Sequence, residues 1–347
     1  MRKHAETRKI GITPYFLALI ERDRAGTAPL PGDPLWRQVA PVWDAEGEGD
    51  SGFGYDSSSE NWELDHEMVT PIAQHKYDNR IIVRYANVCH AYCQFCYEAL
   101  RTLERRSEKP AFNARHWSET LAYLDDHPEI DEVILSGGEP LMHSDEQLAG
   151  VLRDLDAGKR RRALRIHTRA LTFNPFRVTD GLVEVLRAVR VNAVGLHVSH
   201  PRELTEDFWA AARRMQSAVP ILFANIPLLR GVNDDDATLR ELCLGLYAGG
   251  VSAGYLYHFM PLSPGGREFA TSVWRGVELV RGLRRRISNL AVPEYVLPHS
   301  TGKFTMPMHG PGTPEPQIIT DEQGNRNLRF MNWLGNWVTY PDGRAYG

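Results

Sequence analysis

The chain is predicted to be an α/β protein built on a parallel sheet, and three observations predict it. Strand-like apolar runs recur from about residue 80, helix-like amphipathic stretches fall between them, and the unit repeats six times. A repeated strand–helix unit covers both faces of each strand, so the strands lie parallel with helices outside. Alternation alone does not separate a barrel from an open doubly wound sheet, but in either one ligands bind at the carboxyl ends of the strands.

Taken in order, residues 1–75 precede the series. Thr13 can cap a helix, Pro14 suits its first position, and Tyr15 to Ile20 give it an apolar face. TAPLPGDP and GEGDSGFGYDSSSEN then read as a polar surface connection. The strands are IIVRYANV (81–88), EVILS (132–136), LRIHTR (164–169), AVGLHVS (193–199), ILFANIPLL (221–229) and GYLYHFM (254–260). HWSETLAYLDD, EQLAGVLRDL, GLVEVLRAVR, EDFWAAARRMQSA and DATLRELCLGLYA lie between them, and SVWRGVELVRGLRRRI closes the series near residue 290. The tail is rich in Pro and Gly, with a hairpin expected to turn at Gln323-Gly324-Asn325. Residues 76–290 are thus expected to form the core and 291–347 an extension folded back over it.

Bulk composition excludes several classes. A net charge of −4 over 347 residues gives no electrostatic reason to expect nucleic acid or an anionic membrane as partner. No apolar run reaches the roughly 18–20 residues of a membrane span, and MRKHAETRKI lacks the apolar stretch of a secretory signal. Four cysteines do not make a disulfide scaffold in so long a chain. A cytoplasmic enzyme is expected.

The chemistry is carried by CHAYCQFC (89–96), directly after the first strand. Three thiolates can hold three irons of a four-iron, four-sulfur cluster and leave the fourth open to an external ligand. A zinc site using Cys89, Cys93, Cys96 and His90 competes, but structural zinc sites favour paired knuckles separated by a longer loop. Cys243 sits mid-helix among leucines and reads as a core thiol.

The C-x3-C-x2-C spacing, with Tyr92 and Phe95 filling it, resembles the signature of the radical S-adenosylmethionine (SAM) superfamily. VILSGGEPLM (133–142) resembles that superfamily's glycine-rich turn, which implies SAM contacts at Ser136, Gly137, Gly138 and Glu139. Glycine there allows the close backbone approach that a side chain would block. ITPYFLALI, HKYDNRIIV, HVSHPRELTED, LLRGVNDD, GYLYHF and PMHGPGTPEPQIIT extend the resemblance, over nearly the whole chain, to the lysine 2,3-aminomutase group. It implies a partial (β/α)6 radical SAM barrel and a reductant such as flavodoxin or ferredoxin. It also implies pyridoxal phosphate (PLP) as a second cofactor, held by a lysine amine. The match is Lys303, the last lysine of the sequence, in the extension; Lys76, Tyr77 and Arg80 match the phosphate-binding residues. Lysine in place of arginine at 76 keeps the charge but loses the bidentate fork. His200 matches a histidine near the cofactors, and Arg169 and Asn225, at strand ends, point to the same mouth.

Two departures bear on the substrate. The aspartates that hold a lysine side chain in the family are replaced by Met260 and by Leu297 or Pro298. An ammonium left unpaired in a closed pocket is costly, so free lysine is a poor substrate here. The family's C-x-R-R becomes Cys96-Tyr97-Glu98, placing a carboxylate where an arginine pairs with the substrate α-carboxylate. Glu98 is therefore a candidate catalytic residue beside Lys303, unless it is paired away from the substrate. Arg84 or Arg101 could supply the missing cation. No cysteine follows Cys243, so zinc-mediated assembly is not expected, and a homodimer stays open.

The resemblance implies a 2,3-aminomutase, an isomerase moving an amino group through a 5′-deoxyadenosyl radical, acting on a small amino acid other than lysine. Elimination, oxidation or decarboxylation with the same cofactors, and modification of a protein lysine, are the alternatives.

Overall fold

The computed structural model describes residues 8–40, 63–259, 266–299, 302–306, 314–324, 326–332 and 335–341. Helices α1 (Pro14–Ala18) and α2 (Pro34–Val39) each begin at proline behind a polar cap. Thr13 Oγ1 accepts from the Phe16 N–H, and Asp33 Oδ1 from those of Leu35 and Trp36. The Gly- and Ser-rich stretch 47–61 and Met260 lie outside the described residues.

Strands β1 (Met68–Thr70), β2 (Ala73–Tyr77), β3 (Arg80–Ala86), β4 (Glu132–Gly137), β5 (Ala163–Thr168), β6 (Ala193–His197), β7 (Ile221–Leu228), β8 (Ser252–His258), β9 (Glu294–His299) and β10 (Gly302–Thr305) form one sheet in sequence order. From β3 to β9 every neighbour is parallel; β1, β2 and β10 are antiparallel additions. The crossovers that parallel pairing requires carry helices α3 (Ala99–Thr102), α4 (Ala114–Asp126), α5 (Asp145–Asp156), α6 (Ala170–Phe173), α7 (Asp180–Ala188), α8 (Glu206–Gln216), α9 (Asp236–Ala248), α10 (Gly266–Phe269) and α11 (Val273–Arg286). Each longer crossover helix opens on a side-chain cap: Asn113, Ser144, Thr179, Thr205, Asp235 and Ser272 accept from backbone N–H groups of the first turn.

The core is the seam between strands and helices. Ile81, Val83, Val133, Leu135, Ile166, Val194, Leu222 and Leu256 pack in one buried cluster with Leu148, Leu152, Leu182, Leu186, Phe208, Leu242, Cys243 and Val280. Cys243 is thus a core thiol.

The six strands read from the sequence are β3 to β8. Sequence reasoning places the Pro-rich stretch after 290 outside that series, yet β9 continues it as a seventh parallel strand against β8. Pro293 and Pro298 mask the pattern, while Tyr295 and Val296 between them are buried. The backbone N–H of Lys303 on β10 donates to the Tyr77 hydroxyl at the end of β2, 3.1 Å away. The two sides of the sheet therefore curl toward each other into a partial barrel.

A second, antiparallel sheet follows: β11 (Gln317–Thr320), β12 (Arg326–Met331) and β13 (Trp337–Pro341). The β11–β12 turn contains Gly324 at φ +81°, the left-handed backbone that favours glycine. No helix among the described residues is long and apolar enough to cross a membrane.

Candidate active site

The carboxyl ends of the parallel strands enclose a cavity of about 380 Å³, within the range of small-molecule sites. It is lined from one side by the cysteine loop and from another by Lys303.

The loop after β3 is braced by the N-terminal segment. Tyr92 N–H donates to the Gly11 carbonyl and Gln94 N–H to that of Gln38. Ala91 and Cys93 pack against Phe16, Ile20, Leu35, Val39 and Phe173. Cys89, Cys93 and Cys96 are unpaired and half-buried, and all three line the cavity. Burial raises all three thiols above their ordinary range, Cys96 to about 12, and Cys89 and Cys96 also feel the neighbouring thiols. Three thiols that resist ionisation together need a shared cation to become thiolates. Among the described residues no three His, Cys, Asp or Glu side chains converge on one ion. A cluster asks for a different donor set, one thiolate to each iron, and three half-buried thiols on one loop at the cavity wall are of that kind. The Arg169 guanidinium donates from Nη1 to Cys93 Sγ at 2.9 Å and from Nη2 to Gln38, Ser199 and Glu203.

Behind the loop stands the turn after β4. Gly137 has φ +103°. A Cβ there would sit 2.8 Å from the Ala86 carbonyl oxygen, and one on Gly138 would sit 2.5 Å from that of Val88. The close approach these glycines permit is thus to the backbone leading into the cysteine loop, where Gly138 N–H donates to Ala86 and Glu139 N–H to Val88. Ser136, Gly137, Gly138 and Glu139 all line the cavity. The buried Glu139 carboxylate accepts from Thr168 Oγ1 and the Arg169 and Leu141 N–H groups, which ties β4 to the end of β5.

On the Lys303 side, Nζ donates to the Tyr257 hydroxyl at 2.6 Å and lies over the Tyr257 and Tyr255 rings. Although β10 is an exposed edge strand, burial of the amine, helped by the Arg165 and Arg80 cations, pushes it down to about 8. Lys76 is paired with Glu67 at 2.6 Å, and Arg80 stacks on the Tyr77 ring.

Two expectations need correction. His200 does not line the cavity: its Nδ1 caps the turn Pro201–Glu203 by accepting from the Arg202 N–H. Glu98 lines the cavity but offers no free carboxylate, because it is buried against Arg84 Nε at 3.0 Å. The histidines that do line the cavity are His90, His167 on β5, His197 on β6 and His258 on β8; burial holds His167 and His197 neutral, and the Nε2 atoms of His90, His167 and His197 are buried and unpaired among the described residues. Asn225 on β7 leaves both its amide atoms unpaired as well. Alternation gives the signal that sequence reasoning passed over for Arg165 and His167: with Arg169, which it did single out, they occupy every second position of β5 and its end, as Tyr255 and Tyr257 do on β8. Polar groups left unpaired on a cavity wall are what a bound polar ligand would satisfy.

The Radical SAM superfamily signature matches residues 83–243. The L-lysine 2,3-aminomutase of Escherichia coli is 34% identical over 269 residues, 76% of this chain and 74% of that protein. That of Haemophilus influenzae is 32% identical, over 76% of this chain and 75% of its own length. That of Acetoanaerobium sticklandii is 27% identical over 100% of this chain and 78% of its own length. The chain belongs to the lysine 2,3-aminomutase family of radical SAM proteins. It is a divergent member at these identities, and membership implies a 4Fe–4S cluster and SAM. In this radical SAM enzyme Cys89, Cys93 and Cys96 are free thiols at the cavity, and Arg169 donates to the sulfur of Cys93.

Proposed function

We propose that this enzyme is a PLP-dependent radical SAM 2,3-aminomutase acting on a small amino acid other than free lysine. The observation that carries the reading is that one cavity holds both the three cysteine thiols and the Lys303 amine, lowered to about 8. An amine that gives up its proton near neutrality is the group a carbonyl cofactor condenses with. When bound, the cluster and SAM supply a 5′-deoxyadenosyl radical, and PLP supplies a carbonyl that carries the migrating nitrogen.

The chain's own residues divide the remaining work. Cys89, Cys93 and Cys96 hold the cluster, and the Ser136–Glu139 turn and Asn225 offer polar groups to SAM. Lys303 holds PLP, with Tyr257 as its hydrogen-bond partner, and Arg80, Tyr77 and Lys76 take the phosphate. Among the described residues lining the cavity the acids are Glu98 and Glu139, and both carboxylates are engaged. Pro298, which with Leu297 stands in the region where the family keeps an aspartate, lines it. A distal ammonium therefore lacks a counter-ion, which is the argument against lysine. The reductant is a flavodoxin or ferredoxin, and the setting is the cytoplasm.

The test is anaerobic reconstitution with iron, sulfide, PLP, SAM and reductant, followed by an amino acid screen. Chromatography with mass spectrometry should find 5′-deoxyadenosine together with a β-amino isomer of one non-lysine amino acid. Efficient isomerisation of free lysine would overturn the substrate assignment, and deoxyadenosine without any isomer would overturn the amino shift.

A further inference from the structure

Arg84 stands on β3 at 2% exposure and is one of the residues that line the cavity. Nε lies 2.8 Å from Glu63 Oε1 and 3.0 Å from Glu98 Oε1, and Nη2 donates to Gln74 Oε1 at 2.7 Å. Nη1 is buried and has no partner among the described residues. An arginine cannot shed its proton to escape that cost, so two N–H donors of a buried cation stand ready for an acceptor. Among the described residues no other arginine lining the cavity leaves a terminal amino group both buried and unpaired; Arg165 and Arg169 leave only Nε. Arg101 cannot serve. It is 1% exposed, lies off the cavity, and its fork is used on Glu63 and the Pro71 and Pro110 carbonyls.

We infer that Arg84 is the cation that holds the substrate's α-carboxylate through Nη1, with Glu98 as the positioning residue that fixes the guanidinium. The inference rests on the amino acid substrate proposed above. Its chemistry follows from the geometry: three acceptors on Nε and Nη2 lock the plane of the fork, and the remaining amino group meets an anion without further ordering. Arg84 pairs in register with Ser136, and Glu98 follows Cys96 by two residues. The anchor is thus built into the walls that carry the cluster loop and the glycine turn. The cation has moved from the loop to the strand, and the carboxylate on the loop has become its counter-ion.

The experiment titrates the PLP-loaded, cluster-reconstituted enzyme, without SAM, with a panel of amino acids and the α-amide of the tightest binder. The readout is the cofactor's visible absorption band. Wild type should prefer the acid over its amide about ten-fold or more, the scale of one charge-assisted hydrogen bond. Arg84→Gln should remove the preference, Arg84→Lys should retain part of it because charge survives without the fork, and Glu98→Gln should weaken it. Because Arg84→Gln takes the cation from the buried Glu98, while Glu63 keeps Arg101 and Lys109, Arg84→Gln/Glu98→Gln serves as the second variant, and it should lose the preference too. A preference that survives in both variants overturns the inference. So does loss of calorimetric SAM binding in Arg84→Gln with the preference intact, which would assign Nη1 to the SAM carboxylate. A wild-type band that no amino acid shifts removes the PLP reading and this inference with it, whereas equal binding of acid and amide removes this inference alone.

Discussion

The Lys303 ammonium donates to the Tyr257 hydroxyl across 2.6 Å, joining edge strand β10 to the interior strand β8. Burial holds that hydroxyl protonated, far above its ordinary range, and Tyr255 adds to the effect. The amine thus sits on an aromatic floor with two cations nearby, and each of these features favours its neutral form or fixes its direction.

PLP uptake should therefore rise with pH around a midpoint near 8, where Lys303 becomes neutral, rather than near the ordinary 10.5. The sign follows from the causes. Burial and the Arg165 and Arg80 cations disfavour the ammonium, so removing a cation must raise the midpoint. Arg165→Gln should shift uptake to higher pH, read from the absorption band across a pH series. A midpoint that stays in place would exclude Arg165 as a cause.

Iron content separates the four thiols. Alanine at Cys89, Cys93 or Cys96 should remove most of the iron and the visible absorption, since each would own one iron of the cluster. Cys243→Ala should keep both and lose about 1–2 kcal/mol of stability, the cost of a small cavity in the helix–strand seam. Metal analysis beside a thermal melt reads both outcomes.

Much of this site was legible because it depends on local chemistry. Three cysteines within eight residues, a glycine pair after a strand, and a lysine without later competitors keep their meaning whatever surrounds them. The series β3 to β8 was legible for the same reason, as strand and helix periods alternate along the chain. What stayed hidden depends on partners distant in sequence. Glu98 looks like a misplaced charge until Arg84, fourteen residues earlier, is seen against it. His200 looks like a strand-end ligand until its ring is found capping the next turn. β9 was obscured by two prolines that its ends accommodate.

Glycine substitutions should separate crowding from conformation. Gly138→Ala drives a Cβ into the Val88 backbone, which cannot yield as a side chain would, and should cost about 2 kcal/mol or more. The same displacement pushes on the entry to the cysteine loop, so iron loading should fall with it. Gly150→Ala, inside α5 with nothing within 4 Å of the new carbon, should instead be neutral or stabilising by about 0.5–1 kcal/mol. Equal behaviour of the two variants would refute the account of the turn.

Glu63 should matter more to stability than Glu98. Glu63 sits within 3.0 Å of Arg84, Arg101 and Lys109, whereas Glu98 meets Arg84, which keeps Glu63 and Gln74 if Glu98 is lost. Removing one partner of a buried ion pair costs about 3–5 kcal/mol, and Glu63→Ala should fall in that range with Glu98→Ala at roughly half of it. The pH dependence carries the same signature. Burial would raise the Glu63 carboxyl, but Arg84 and Arg101 outweigh it and hold it below its ordinary 4.5. Its contribution is therefore fully present above 4.5 and is lost as pH falls through the lowered value of the folded chain. Glu63→Gln should flatten that acid limb in denaturant melts taken across the range. A limb as steep in the variant as in wild type would assign the acid transition to other carboxylates.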